Sequence, residues 1–157
     1  VARMLEGVQL VAAVEGPKRH RPPGPADAQL RLARTCYDHL AGRLGVALAD
    51  ALVGGGHVEL DGEGGRVTAA GAGFLAGFGL ELETLAAGRR CFCRPCLDWS
   101  ERRPHLAGAL GRALAERCFQ LGWIDRVRDS RAVTVTPAGC RGLSERFGLP
   151  GSLFAKA

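Results

Sequence analysis

His39-Leu-Ala-Gly-Arg-Leu-Gly-Val-Ala-Leu-Ala49 and His105-Leu-Ala-Gly-Ala-Leu-Gly-Arg-Ala-Leu-Ala115 are identical at nine of eleven positions, at a constant offset of 66 residues. Outward from these blocks the echo continues. Val67-Thr-Ala-Ala-Gly71 returns as Val135-Thr-Pro-Ala-Gly139, and Phe78-Gly-Leu80 returns as Phe147-Gly-Leu149. The offset grows by small insertions, which loops tolerate. Three separated blocks that keep their order are not produced by composition bias, so the chain reads as one supersecondary unit written twice.

The hydrophobic spacing fills in each unit. Leu30, Ala33, Cys36, Tyr37, Leu40, Leu44, Ala47, Leu48, Ala51 and Leu52 follow the i, i+3, i+4 rule, which predicts one long helix from Ala26 to about Val53, ended by Gly54-Gly-Gly56. His57–Leu60 and Arg66–Thr68 alternate about a Gly-rich turn and predict a hairpin. A helix from Ala69 carries Phe74, Leu75 and Phe78 to a break at Gly79, and a shorter helical piece follows from Leu82. In the second unit, Pro104 suits the first turn of a helix to about Leu121. A hairpin then turns around Arg128–Arg131, and Thr136 with Pro137 starts a last helix that ends at Gly148. The tail from Pro150 reads as mobile, with Leu153 and Phe154 able to dock.

The expected fold class is therefore α+β and mainly helical: two tandem helix–β-hairpin–helix repeats, winged-helix-like, related by pseudo-two-fold symmetry. The expected divisions are an N-terminal dimerisation or linker helix at 1–16, a first repeat at 26–80, a connecting segment with a cysteine cluster at 81–104, and a second repeat at 105–149. The Pro-rich stretch Lys18–Pro25 separates the first helix from the rest. A start on Val without Met points to sequence missing upstream.

Length and composition bound the function. A chain of 157 residues with 46% hydrophobic content is large enough for a real core. No apolar run approaches the roughly 18 residues of a membrane span, and the start does not read as a secretory leader, so a cytoplasmic protein without membrane contact is expected. Six cysteines in a chain with its own core read as thiols rather than as a disulfide framework. The net charge of +5 permits nucleic-acid contact, but the arginines are scattered over the whole chain. No Ser-His-Asp order, phosphate-binding Gly loop or two-carboxylate cleft stands out, so no enzyme and no catalytic residue is expected.

The chemistry-bearing residues also come in pairs. Cys36-Tyr-Asp38-His39 precedes the first Leu-Ala-Gly block. Cys96-Leu-Asp98 precedes the second, with Trp99 to Pro104 inserted ahead of His105. If the halves meet there, Cys36, His39, Cys96 and His105 converge, and thiolate with imidazole suits zinc or another thiophilic metal. The same residues read first as packed core groups, and alternatively as the site of a thiol or small-molecule effector, with Asp38, Asp98 and Trp99 beside it. Trp99 is either core or one wall of an apolar pocket. Cys91 and Cys93 extend the cluster but have no partner in the first unit. Cys93-Arg-Pro-Cys96 has the spacing of a thiol oxidoreductase, which would need the first thiol at a helix N-terminus. Asp98 and Glu101 have capping-box spacing. Gly42, Gly45, Gly108 and Gly111 read as mid-helix glycines at matched positions, where close packing or a ligand approaches the backbone. Arg126, Arg128 and Arg131 on the second hairpin are candidates for DNA phosphate contact.

Arg34-Thr-Cys-Tyr-Asp-His-Leu-Ala-Gly42, Cys96-Leu-Asp-Trp-Ser-Glu-Arg-Arg103 with His105-Leu106, and the two Val-Thr-x-Ala-Gly blocks resemble the C-terminal region of a subgroup of ArsR-type bacterial winged-helix transcriptional regulators. The resemblance runs from about Val1 to Leu149. It implies a repressor whose helix-turn-helix domain precedes this region and contacts DNA, with Val1–Val11 as the helix after that domain. It also implies a homodimer and an effector, which in ArsR-type repressors is often a metal, a metalloid or a thiol oxidant. The function expected is the regulatory and dimerisation region of such a repressor. The alternatives are a metal- or metalloid-binding module with Cys and His ligands, and a small thiol oxidoreductase.

Overall fold

A computed structural model describes residues 25–62 and 64–154. The helix expected at 1–16 lies outside the described residues. The rest is α+β, with six helices and four two-stranded antiparallel hairpins.

The order is α1 (Pro25–Leu32), β1 (Arg34–Cys36), β2 (His39–Ala41), α2 (Gly42–Gly54), β3 (Val58–Leu60), β4 (Gly65–Val67), α3 (Ala69–Gly77) and α4 (Leu82–Ala86). Then come β5 (Arg94–Leu97), β6 (Pro104–Ala107), α5 (Gly108–Gln120), β7 (Ile124–Arg126), β8 (Val133–Val135) and α6 (Pro137–Phe147), followed by a 3-10 turn at Gly151–Leu153. Each of β1–β2, β3–β4, β5–β6 and β7–β8 is its own sheet. The hairpin–helix–hairpin–helix succession therefore occurs from β1 to α3 and again from β5 to α6.

The long helix expected over 26–53 does not form. It is split by the β1–β2 hairpin, in which Arg34 faces Ala41 and Cys36 faces His39 across a two-residue turn. Tyr37 takes φ 56° in that turn and is 89% exposed, so its ring leaves the core that a continuous helix would have given it. The second expected helix starts late for the same reason. Pro104 opens strand β6, where the missing N–H is tolerated at a strand's first residue, and the helix begins only at Gly108.

Gly42 and Gly108 are thus helix-start residues, not mid-helix ones, with φ 77° and 84°. A side chain there would strain the backbone and strike the carbonyls of Arg31 and Leu32 in the first case, and of Cys91 and Phe92 in the second. Gly45 and Gly111 do lie inside α2 and α5. A Cβ on Gly45 would press on the Leu40 carbonyl and meet the His105 Cβ at 3.5 Å; on Gly111 it would press on the Leu106 carbonyl and meet the His39 Cβ at 3.3 Å. These glycines let α2 pack on β6 and α5 pack on β2, so each helix rests on the other half's hairpin. The space between them, bounded by Leu40, Gly45, Leu48, Leu106, Gly111 and Leu114, amounts to about 10 Å³. That is no more than one water requires, and an organic ligand does not fit.

Leu44, Leu52, Leu75, Leu110, Ile124 and Leu143 are fully buried in the hydrophobic core, each worth roughly 1.5–3 kcal/mol of transfer free energy. The outer edge of β1 is covered by the last hairpin. Thr35 N–H donates to the Arg131 carbonyl at 2.8 Å, and Val133 N–H donates to the Ala33 carbonyl at 3.0 Å. Thr68 and Thr136 cap α3 and α6 through their hydroxyls, which accept from Gly71 and Gly139 N–H. Leu153 is buried in the core, so the tail that reads as mobile is docked at this residue.

Candidate metal centre

Two hairpins carry the cluster. Cys36 is the last residue of β1 and His39 the first of β2, directly opposite in register. Cys96 in β5 faces His105 in β6 in the same way. On one face of an antiparallel pair, opposite side chains stand side by side, so each hairpin presents one thiol and one imidazole together. Packing of α2 on β6 and α5 on β2 then brings the two hairpins into contact. The ligand atoms of Cys36, His39, Cys96 and His105 all lie within 4.8 Å of one another, and this group could hold a metal ion.

Cys96, His39 and His105 are buried and Cys36 is half-buried. The two imidazoles face each other through Nε2 atoms 3.1 Å apart, with ring centroids separated by 5.0 Å. Their far nitrogens each look toward a carboxylate two residues after a cysteine. His39 Nδ1 lies 3.4 Å from Asp38 Oδ1, and His105 Nδ1 lies 3.6 Å from Asp98 Oδ2 with no hydrogen-bond partner of its own. Hydrogen bonds from Cys96, His105 and His39 pull the Cys36 thiol far below its ordinary 9.0, against the effect of burial. The surroundings therefore favour a thiolate, the form that binds metals.

The two carboxylates differ in their anchoring. Asp98 is completely buried. Its Oδ2 accepts from Arg34 Nη2 and from Gly42 N–H, both at 2.7 Å, and its Oδ1 accepts from Ser100 N–H, Ser100 Oγ and Glu101 N–H. Burial pushes its pKa up, but these bonds, led by Arg34, outweigh burial and hold it well below the usual carboxylate range. Arg34, 1% exposed, also donates to the Leu30 carbonyl and lies under Trp99, with Cζ 4.5 Å from the ring centroid. Trp99 is thus a cover over Arg34, not core and not a wall of an apolar pocket. The capping-box spacing is half used: Asp98 accepts from Ser100 and Glu101 in the β5–β6 turn, while its own N–H bonds to the Arg103 carbonyl. Asp38 is more exposed and is paired with Arg90, which together with His39 lowers its pKa against the opposing effect of burial.

Cys91 and Cys93 stay outside the cluster. Cys91 is exposed, and its carbonyl accepts from Ala109 N–H while that of Phe92 accepts from Leu110 N–H, so this segment satisfies the start of α5. Cys93 is buried and burial pushes its thiol up to about 11. It sits in an irregular stretch before a strand, not at a helix start, so the activated thiol of an oxidoreductase is missing. On the last hairpin, Arg128 is almost fully exposed beside Asp129, Arg126 stacks on Phe119 with Cζ 4.5 Å from the ring centroid, and the Arg131 backbone is engaged with Thr35.

The residue that spacing did not reveal is Arg34. A signal for it existed: Arg34-Thr-Cys36-Tyr-Asp38 and Arg94-Pro-Cys96-Leu-Asp98 share an Arg-x-Cys-x-Asp pattern. What no pattern revealed is that Asp98 crosses over to serve Arg34 and the start of α2 in the other half.

The class of protein to which this chain is related is the helix-turn-helix-type transcriptional regulator. One relative is YdfF of Bacillus subtilis (strain 168), described as an uncharacterized HTH-type transcriptional regulator, which is 46% identical over 110 residues, covering 70% of this chain and 49% of the relative. The chain thus spans about half the length of the curated relative it matches. No family model matches the chain, and no solved structure matches it. Among the described residues, no helix is long and apolar enough to cross a membrane.

Proposed function

We infer that this chain is the effector-sensing and dimerisation region of a cytoplasmic DNA-binding transcriptional repressor. The helix-turn-helix part lies upstream, as in the ArsR-type proteins its motifs resemble. The observation that carries the reading is the 46% identity to an HTH-type regulator over 70% of the chain. Two further features support it. The paired hairpin–helix units, β1 to α3 and β5 to α6, fit an internal duplication about a pseudo-two-fold axis. They also place a thiol and imidazole group where the two halves meet, which is where an effector would alter their packing. In this reading the region is not catalytic, and Arg126, Arg128 and Arg131 add at most nonspecific phosphate contact.

The test compares the intact gene product with this chain on genomic DNA fragments that the intact product selects. The intact product is expected to bind its site tightly and the chain alone at least a hundredfold more weakly. Cys36→Ser in the intact product is expected to change reporter derepression while leaving operator affinity within about twofold. Equal operator affinity of the isolated chain, or an intact gene without a helix-turn-helix segment, would end this reading.

A further inference from the structure

We propose that Cys36, His39, Cys96 and His105 form one closed, four-coordinate site for a zinc-class divalent ion. In this site the imidazoles bind through Nε2, and Asp38 and Asp98 hold their Nδ1–H groups. The site binds metal whether or not the chain serves a DNA-binding protein.

Three observations converge on it. The first is the donor set: two thiols and two imidazoles are the ligands of tetrahedral zinc sites. All four donor atoms lie within 4.8 Å of one another, and the Nε2–Nε2 distance is 3.1 Å. Two nitrogens each about 2.0–2.1 Å from one ion at a tetrahedral angle stand roughly 3.3 Å apart, so the pair needs almost no adjustment. The second is the orientation of the rings. Two buried imidazoles that point Nε2 at Nε2 share at most one proton in that gap, whereas one cation satisfies both lone pairs. Both Nδ1 atoms then face carboxylates, at 3.4 and 3.6 Å, the arrangement that fixes the tautomer of a metal-bound histidine. The third is enclosure: three of the four donors are buried, and the neighbouring space between α2 and α5 does not admit an organic ligand. Four protein donors leave no position for substrate water, so the site holds and does not hydrolyse. Because each hairpin gives one Cys and one His, neither half completes the site alone.

The experiment titrates Co²⁺ and Zn²⁺ into the reduced, metal-stripped chain. One equivalent of Co²⁺ is expected to give the intense visible bands of a tetrahedral ion together with near-ultraviolet thiolate charge-transfer bands, and one equivalent of Zn²⁺ is expected to displace it. Cys36→Ser/Cys96→Ser removes the charge-transfer bands. Cys91→Ser/Cys140→Ser leaves stoichiometry and spectrum unchanged. Asp38→Asn, a partly exposed position chosen to spare the fold, weakens Zn²⁺ binding by about 10- to 100-fold while keeping the cobalt geometry. A weak six-coordinate cobalt spectrum, no stoichiometric binding, or full binding by a Cys36→Ser/Cys96→Ser variant that keeps its far-ultraviolet circular dichroism would each overturn the proposal. None of these readouts involves DNA, so a metal-binding chain that fails the operator test, or the converse, separates the two inferences.

Discussion

The Arg34–Asp98 pair is buried on both sides and costly to break. Both side chains are out of water, 2.7 Å apart, and the remaining lone pairs of Asp98 go to backbone and Ser100. Removing the cation leaves a buried carboxylate that faces only dipoles. Arg34→Ala is therefore expected to lower unfolding free energy by about 3–5 kcal/mol at neutral pH, measured by urea denaturation. Arg34→Lys is expected to recover little of it, because an ammonium cannot span Asp98, the Leu30 carbonyl and the Trp99 face as the planar fork does. Thiol chemistry gives a second prediction at this scale. Burial pushes Cys93 up to about 11 and Cys118 up to about 12, while Cys91 is exposed. Brief alkylation of the native chain near pH 8, read by peptide mass spectrometry, is expected to modify Cys91 well before Cys93 and Cys118; equal labelling would contradict the burial described. At this scale much of the site was legible, because Cys36, His39, Cys96 and His105 recur beside matched blocks. The duty of Asp98 was not, since its partners come from residues 56 and 64 positions away.

Elements show where periodicity misleads. Over 26–53 the apolar spacing fits a helix well, yet a hairpin of three-residue strands buries Leu40 and turns Tyr37 out to solvent before Gly42 starts α2 at positive φ. A three-residue strand offers too little alternation to compete with a helical pattern on either side of it. The local hints were Thr35 and the exposed Tyr37 before Asp38. Where turn chemistry was explicit, as at Thr136-Pro137 and Gly148, the element boundaries followed it. Glycines separate the two kinds of constraint within a single helix. In α3, a Cβ on Gly71 would overlap the His57 carbonyl, whereas one on Gly73 meets nothing within 4 Å. Gly73→Ala is expected to stabilise the protein by about 0.5–1 kcal/mol through helix propensity alone. Gly71→Ala is expected to lose well over that amount, because backbone must move. Thermal melts of the two variants check the contrast, and similar melting temperatures would refute it.

At the scale of the whole molecule, the question is what ties β1–β2 to β5–β6, since the chain between them is long and each hairpin is a separate sheet. Packing of α2 on β6 and α5 on β2 supplies an apolar answer. The four-ligand cluster supplies a second that depends on a solute. An ion bound only by the folded arrangement stabilises it by mass action, by about 4 kcal/mol when free ion is a thousandfold above its dissociation constant. For a chain of this size each kcal/mol moves the midpoint by roughly 2–4 °C, so zinc is expected to raise the melting temperature of the reduced chain by on the order of 10 °C. Chelation should reverse the rise. Cys96→Ser should abolish the dependence on zinc, although its metal-free melting temperature stays near that of the parent chain, because one sulfur-to-oxygen change leaves the α2–β6 and α5–β2 packing in place. Had the hairpins been joined by apolar packing alone, zinc would leave the parent and the variant melting together. The comparison therefore measures how far the union of the two halves rests on the ion rather than on the core.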